Sequence, residues 1–426
     1  MPRPLPGMSD AGAALYVAGG VAVAGPAVDG GPARAGWDAG GRPVPCTPLV
    51  TRLDLTAFRN HRATRIESAA PVVVLNGPNG AGKTNVLEAL SFLAPGRGLR
   101  RCRLSEADYR GMDHGNGGAP WAVAAELVTC DGPVRIGTGR DPQRPADTGT
   151  ERRLLRIDGA PVRGQQALAE RAAVVWLTPE HDRLFAESAG TRRRFLDRLV
   201  SAHDPDHVGR VSAYEHALRE RSRLLKGPSR DPGWLDALER RLAAGGIAIV
   251  AARHHLIARL STALAAETGP FLAPEIAAAG TLEGWLEREP ALVAEDRMRE
   301  ALAAARDADA AQGGAAIGPH RSDLTARHPG TGEDARDCST GEQKAMVIAI
   351  VLAYARLVAA DRGAPPLLLL DEAAAHLDAG RRAALFEALA ALRASAWMTG
   401  ADRSLFSALG DRADFLSVQD GRVTSG

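Results

Sequence analysis

Apolar and polar residues alternate along residues 50–55, and a short apolar run occupies residues 71–75. Both patterns predict β-strands. A glycine-rich loop follows the second strand, and beyond it Val86, Leu90 and Leu93 fall on one face of a helix. The pattern therefore predicts a strand, a loop and a helix in that order.

A second pattern, rich in charged residues, runs from about residue 191 to 268 and is broken by a glycine- and proline-rich stretch at 227–233. Beyond the break, apolar residues recur every seven positions, at Leu235, Leu242, Ile249 and Leu256. This recurrence predicts a helix whose seam packs against another helix. The seam is too short for the long coiled coil of a chromosome-structure protein, so we expect a compact helical arm.

These patterns divide the chain into four segments. Residues 1–49 lack helical or strand periodicity, so we predict a disordered extension there. Residues 50–190 and 301–426 are predicted to form two lobes of one α/β head, which a helical arm at 191–300 separates. Within the second lobe, the apolar run 367–370 is typical of a strand buried on both faces.

Composition adds little about function. The 426 residues are 45% hydrophobic, which is enough for a large core. Lysine plus arginine (52) nearly equals aspartate plus glutamate (51), so the total charge neither supports nor excludes nucleic acid as a partner. Four scattered cysteines without a Cys-x-x-Cys pair argue against zinc or disulfides and favour a cytoplasmic location.

The loop after the second strand has the Gly-x-x-x-x-Gly-Lys-Thr spacing of a P-loop. It consists of Gly77, Pro78, Asn79, Gly80, Ala81, Gly82, Lys83 and Thr84, and Asn85 follows it. Glycines allow successive backbone N–H groups to face phosphate oxygens, and the helix N-terminus favours anions. We expect Lys83 to reach the β- and γ-phosphates of ATP, and the Thr84 hydroxyl to bind Mg²⁺. A chance glycine-rich turn is the alternative.

Two acids, Asp371 and Glu372, follow the apolar run 367–370. Together with a P-loop they suggest hydrolysis, because Asp371 can hold Mg²⁺ through water and Glu372 can polarise the attacking water. Alone, the pair could simply begin a helix. Asp378 further on could lie near a nucleotide at a subunit boundary, or it could cap the helix that begins at Ala379.

Ser339 and Glu342 have the spacing of a capping box in front of the apolar segment 345–353. The same helix start, with Ser339 and the Gly341 backbone, could instead bind an anion. The local sequence leaves both interpretations open.

The segment Ser339-Thr340-Gly341-Glu342-Gln343 resembles the signature motif of ABC-type ATPases, which binds the γ-phosphate of ATP held by the P-loop of the opposite subunit. Further motifs accompany it in order: Phe58-Arg59-Asn60-His61-Arg62, Leu177-Thr178-Pro179-Glu180, Arg192-Arg193-Arg194-Phe195-Leu196-Asp197-Arg198, Tyr214-Glu215-His216-Ala217-Leu218-Arg219-Glu220-Arg221 and Gly318-Pro319-His320-Arg321-Ser322-Asp323-Leu324. From about Thr51 onward, the chain resembles the RecF family of bacterial recombination mediators.

The resemblance implies an SMC/Rad50-like ABC ATPase head with a short arm, which forms a homodimer on binding ATP. It also implies a weak, DNA-stimulated ATPase that binds double-stranded DNA and single-strand/double-strand junctions. Such a protein helps to load RecA with RecO and RecR in gap repair, SOS induction and replication fork maintenance. Two positions depart from common patterns, since Thr340 replaces a glycine of many ABC signatures and Glu372 replaces an aspartate of many RecF proteins.

The candidate DNA contacts are two clusters of arginine. They are Arg97, Arg100, Arg101 and Arg103 after the P-loop helix, and Arg192, Arg193 and Arg194 at the base of the arm. Phosphate binding requires only local positive charge. Each cluster could instead be a solvated face or a set of ion pairs.

Two other functions share some of these motifs. The motor subunit of an ABC-type membrane transporter has the same P-loop, acids and signature, but it usually keeps P-loop and signature closer together and lacks a helical arm. A binding module with an inactive ATPase site would not need both Asp371 and Glu372.

Overall fold

The computed structural model describes residues 47–109, 119–143, 151–228, 230–267 and 269–425. The predicted disordered extension therefore lies outside the described residues except for residues 47–49. The predicted boundaries of the two lobes and the arm stay predictions.

The strands are β1 (Leu49–Phe58), β2 (His61–Glu67), β3 (Val72–Asn76), β4 (Ala122–Thr129), β5 (Gly132–Arg140), β6 (Arg153–Ile157), β7 (Ala160–Pro161), β8 (Val174–Leu177), β9 (Glu275–Ala279), β10 (Asp323–Arg327), β11 (Leu367–Leu370), β12 (Ala396–Gly400), β13 (Ala413–Gln419) and β14 (Arg422–Ser425). The helices are α1 (Lys83–Ser91), α2 (Gln166–Arg171), α3 (Ala189–His203), α4 (His207–Lys226), α5 (Pro232–Ala265), α6 (Thr281–Leu286), α7 (Ala291–Ala304), α8 (Arg306–Gln312), α9 (Thr340–Arg362) and α10 (Ala379–Ala391). Short 3₁₀ helices cover Leu104–Ala107, Pro179–His181 and Arg403–Arg412.

The described strands form two large sheets and the small β9–β10 pair. The first sheet is antiparallel, in the order β2-β1-β4-β5-β6-β7. The second has the order β14-β13-β3-β12-β11-β8, and its strands are parallel except for β14. The carboxyl ends of β3, β12, β11 and β8 therefore lie along one edge, where ligands bind in open parallel sheets.

The central strand β3 is buried on both faces. Val73 and Leu75 belong to the core that contains residues of α1 and the antiparallel sheet, whereas Val72 and Val74 belong to the core that contains residues of α3, α9 and α10. Successive side chains of a strand point to opposite faces, so one short apolar run contributes side chains to the cores on both faces of the sheet. This arrangement fixes the loop after β3 between well-packed layers.

The long helix α9 lies in the second of these cores. By length and composition it is apolar enough to cross a membrane, but 78% of its apolar window is buried inside the protein. Most of its side chains from Gln343 to Ala355 are buried. Packing against the protein interior therefore explains its hydrophobicity.

The charged segment forms a helical hairpin of α4 and α5, and the predicted seam residues of α5 are buried. Leu242 and Ile249 pack with α4 and α7, while Leu256 joins the core around α9. Arg221 of α4 is also buried, and its guanidinium binds Glu239 at 2.9 Å and Asp309 at 2.6 Å. A buried ionic contact thus ties α4 to α5 and α8.

Candidate nucleotide site and basic surface

The predicted P-loop connects β3 to α1, as the sequence pattern indicates. Gly77, Gly80 and Gly82 have φ angles of 153°, 82° and 111°, values that L-residues with side chains rarely adopt. A Cβ atom on Gly77 would lie 2.2 Å from the Val418 carbonyl oxygen. Backbone conformation and a close approach to β13 therefore require glycine in this loop.

Lys83 is the first residue of α1, and its side chain folds back over the loop. Its Nζ donates hydrogen bonds to the carbonyl oxygens of Gly77 at 2.7 Å and Pro78 at 3.0 Å. Only 5% of the residue is exposed. The ammonium is therefore held at the loop that would surround the phosphates.

The next residue, Thr84, meets the first acid of the predicted pair. Its hydroxyl donates to the Asp371 carboxylate at 3.0 and 3.1 Å, and the Thr399 hydroxyl donates to the same carboxylate at 2.7 Å. Burial raises the pKa of Asp371, although the hydrogen bonds from Thr399 and Thr84 oppose this shift. The fold thus joins residues that are 287 positions apart in sequence.

Among the described residues, Asp371 forms an ion pair with none. A cation at this point would offset the cost of burying the carboxylate. Hydroxyl and carboxylate oxygens are ligands that Mg²⁺ prefers. Thr84 and Asp371 therefore fit a Mg²⁺ site, and Thr399, which the sequence did not single out, supports the acid.

Glu372 follows β11 in a strained turn with φ 52°. Its backbone N–H donates to the Thr399 hydroxyl at 2.9 Å, whereas its carboxylate makes no hydrogen bond to any residue that the structure describes. Glu372, Thr399 and Asn79 of the P-loop line a cavity of about 160 Å³. An unengaged carboxylate thus borders a space next to the P-loop.

A buried lysine links this turn to helix α9. Lys344 Nζ donates to the Ala375 carbonyl at 2.8 Å and to Asp182 at 3.0 Å. Burial raises the pKa of Asp182, and the nearby Lys344 opposes that shift. Sequence reasoning missed Lys344, because its partners come from distant segments.

The capping interpretations of Ser339 and Asp378 are confirmed. Ser339 and Glu342 form a reciprocal capping box at the start of α9, and Asp378 accepts a hydrogen bond from the Arg381 N–H at the start of α10. Ser339 and Gly341 are nevertheless exposed, as is the Asp378 carboxylate. Their roles toward nucleotide stay predictions.

The first arginine cluster is only partly engaged. Arg100 binds the buried Glu88 carboxylate at 3.1 Å and the Asn85 side chain at 2.8 Å. The side chains of Arg97, Arg101 and Arg103 are exposed and have no hydrogen bond or ion pair within the described ranges. Most of the arginine side chains in this cluster are therefore available to bind an anion.

In the second cluster, Arg192 does not fit the predicted DNA contact. It is 7% exposed, and its guanidinium binds Asp323 at 2.6 Å and the Phe185 carbonyl at 2.9 Å. Because its charge is paired inside the protein, it cannot reach a DNA phosphate without breaking these bonds. Arg193 is half-buried and donates to the Ser322 carbonyl at 2.6 Å.

Arg194 is exposed, and its guanidinium donates to the Thr191 hydroxyl at 3.0 Å. Partial burial lowers the pKa of Arg101, and the positive charges of Arg194 and Arg97 lower it as well, whereas the carboxylates of Glu215 and Asp197 raise it. We call Arg97, Arg101 and Arg103 of the loop after α1, together with Arg194, the basic surface.

This chain is similar in sequence to known proteins. A family model described as an AAA domain matches residues 52–106. The DNA replication and repair protein RecF of Mesorhizobium japonicum is 48% identical over 382 residues, covering 89% of this chain and 98% of the relative. This chain belongs to the RecF family. The family's protein from Rhizobium rhizogenes is 45% identical over 383 residues, covering 89% of this chain and all of the relative.

Solved RecF structures share the fold. The recombination mediator protein RecF with ATP matches with a TM-score of 0.75 at 21% identity, covering 89% of this chain and 98% of that one. The corresponding RecF-ATPrS structure also has a TM-score of 0.75, at 20% identity, with the same coverage. The predicted RecF resemblance and the P-loop ATPase fold class are confirmed, and the transporter alternative is not favoured.

Proposed function

We propose that this RecF-family chain is an ATPase that dimerises on binding ATP and binds duplex DNA and gap junctions in the dimeric state. The observation that carries the proposal is the hydrogen bond between Thr84 and Asp371. It joins a P-loop to the acid of a distant strand, and an unengaged Glu372 lies next to them. Membership of a family named for DNA replication and repair supports the DNA role.

Each residue of the site has one proposed role. Lys83 and the loop N–H groups bind the phosphates, and Thr84 and Asp371 hold Mg²⁺, which would neutralise phosphate charge. Glu372 accepts a hydrogen bond from the attacking water and orients it toward the γ-phosphate. The Thr399 hydroxyl positions the Asp371 carboxylate and the backbone of Glu372, since it donates to the first and accepts from the second.

The exposed start of α9 supports the proposed dimer. Ser339 and Gly341 occupy a helix N-terminus that faces solvent, so they are available to the ATP of a second subunit. ATP bound between two subunits stabilises their association by its binding free energy. Hydrolysis then removes the γ-phosphate and releases the dimer.

The basic surface supplies the DNA contact. Exposed arginines that form no ion pair with the described residues can bind phosphates with little desolvation cost, and such binding is independent of sequence. The solved relatives carry the name RecF and are assigned to the RecFOR pathway. For this chain we propose RecO and RecR as partners, loading of RecA as the outcome, and the cytoplasm as the location.

Replacing Glu372 with glutamine is expected to lower ATP turnover by about 10²- to 10⁴-fold, because a neutral amide cannot accept the water proton. The ATP-bound dimer should persist. Phosphate release and sedimentation velocity with ATP measure the two effects. Glu387→Gln on α10, whose side chain is 68% exposed, serves as the matched control. Normal turnover by Glu372→Gln would reject Glu372 as the general base.

Replacing Arg101 and Arg194 together with alanine is expected to weaken duplex binding for all sequences. The slope of log affinity against log salt should become shallower by about 1.8, since each lost phosphate contact removes about 0.9. Fluorescence anisotropy on plain and gapped duplex, with and without ATP, measures this slope. Arg412→Ala, on a different element, is the control. An unchanged slope would exclude the basic surface as the DNA contact.

A further inference from the structure

The motif Phe58-Arg59-Asn60-His61, which the proposed ATPase chemistry does not use, lies directly behind the P-loop. The Asn60 side-chain amide donates to the Ala81 carbonyl at 3.0 Å, and its oxygen accepts a hydrogen bond from Asn85 at 2.7 Å. The His61 Nε2 lies 3.3 Å from the Gly82 carbonyl oxygen. Asn60 thus holds the Ala81 carbonyl from this side, and His61 holds the Gly82 carbonyl in the tautomer that carries its single N–H on Nε2.

The turn between β13 and β14 completes this contact from the far end of the chain. The Gly421 N–H donates to the same Ala81 carbonyl at 3.1 Å, and the Gly421 carbonyl lies 2.9 Å from His61 Nδ1. Gly421 has φ 73°, and a Cβ atom there would lie 2.3 Å from the Asn60 carbonyl oxygen. A side chain at this position would therefore separate the turn from the loop.

These bonds constrain the opposite side of the loop. In a planar trans peptide, the carbonyl of one residue and the N–H of the next point in opposite directions. Holding the Ala81 carbonyl therefore turns the Gly82 N–H away from Asn60. The Gly82 carbonyl also accepts the Asn85 and Val86 N–H groups of α1, so the helix itself orients the Lys83 N–H. Both N–H groups then face the side opposite Asn60, where the proposed function places the phosphates.

We propose that Asn60, His61 and Gly421 form a clasp that presets the P-loop for phosphate, with Asn60 as its main positioning residue. The proposal rests on the proposed nucleotide-binding function. Preorganisation of this kind increases affinity because the loop loses less conformational freedom when the ligand binds. Asn60 itself lies behind the loop and need not touch the nucleotide.

The test is ADP binding by the full chain, measured by isothermal titration calorimetry, with thermal unfolding of the ligand-free protein alongside. Asn60→Asp keeps the size of the side chain and the acceptor for Asn85 but removes the donor to Ala81. We expect about tenfold weaker ADP binding, the usual consequence of losing one such hydrogen bond. Asn60→Ala should weaken binding similarly if the aspartate variant does not fold.

Thr51→Val is the matched control. The Thr51 hydroxyl donates to the Glu126 carbonyl at 3.3 Å, at the opposite end of β1 from Asn60 and away from the P-loop. This variant should bind ADP within about twofold of the unchanged protein. Equal affinity of the Asn60 variants and the unchanged protein, or an equal loss in Thr51→Val, would overturn the clasp alone. Absence of ADP binding by the unchanged protein would overturn the proposed function as well.

Discussion

Lys83→Arg is expected to abolish ATP-dependent dimerisation of this chain. The Lys83 ammonium is enclosed by the Gly77 and Pro78 carbonyls, and the larger planar guanidinium cannot take the same position. Phosphate binding, and with it the ATP that would join two subunits, should be lost. Sedimentation velocity with and without ATP measures the effect, and far-UV circular dichroism without nucleotide checks that the variant is folded.

Variants of Ser339 distinguish its two roles, which are capping of α9 and the proposed contact with the ATP bound by the second subunit. Ser339→Arg should also prevent the dimer, but it removes the cap of α9 and so costs about 1 kcal/mol of stability. Ser339→Asp retains a good capping residue and places a negative charge where the γ-phosphate should lie. Both variants should be monomeric with ATP while still binding it. An intact ATP-dependent dimer of Lys83→Arg and Ser339→Arg would refute the two-subunit site.

Arg221→Met is expected to destabilise the helical hairpin by about 3–5 kcal/mol, because it leaves the Glu239 and Asp309 carboxylates buried without this cation. Arg306 also contacts Glu239, so the Asp309 carboxylate should account for most of the lost stability. Hydrogen exchange in α4, α5 and α8 measures the local free energy of opening.

The control for this prediction is Arg219→Met in the same helix. Arg219 is 63% exposed on its side chain and lies 3.7 Å from Glu215. A surface ion pair of this kind contributes about 0–1 kcal/mol. Similar exchange in both variants would show that the buried contact does not stabilise the hairpin.

Contiguous motifs were the part of the site that sequence could predict. The P-loop and the pair Asp371 and Glu372 are each a local pattern next to an apolar strand, and the fold brings Thr84 and Asp371 together. Thr399 and Lys344 carry no such pattern. Their partners come from other strands and turns, so only the three-dimensional arrangement shows what they hold.

The prediction that Arg192 contacts DNA failed for a different reason. Three consecutive arginines suggested one basic patch, but Phe195, Leu196 and Leu199 lie three, four and seven positions after Arg192 on the buried face of α3. Helical periodicity could have placed Arg192 on that face. Its partner Asp323, 131 positions away, could not be recognised from the sequence.

The strand order of the parallel sheet also determines when this protein can form its nucleotide site during synthesis. Strand β3 pairs with β12 and β13, which end at Gly400 and Gln419. On the ribosome, β3 and its loop must therefore wait for more than three hundred further residues before either neighbour emerges, whereas the α4–α5 hairpin can close much earlier. Until then both edges of β3 would lack their strand partners, although the face with Val73 and Leu75 could already pack with α1 and the antiparallel sheet.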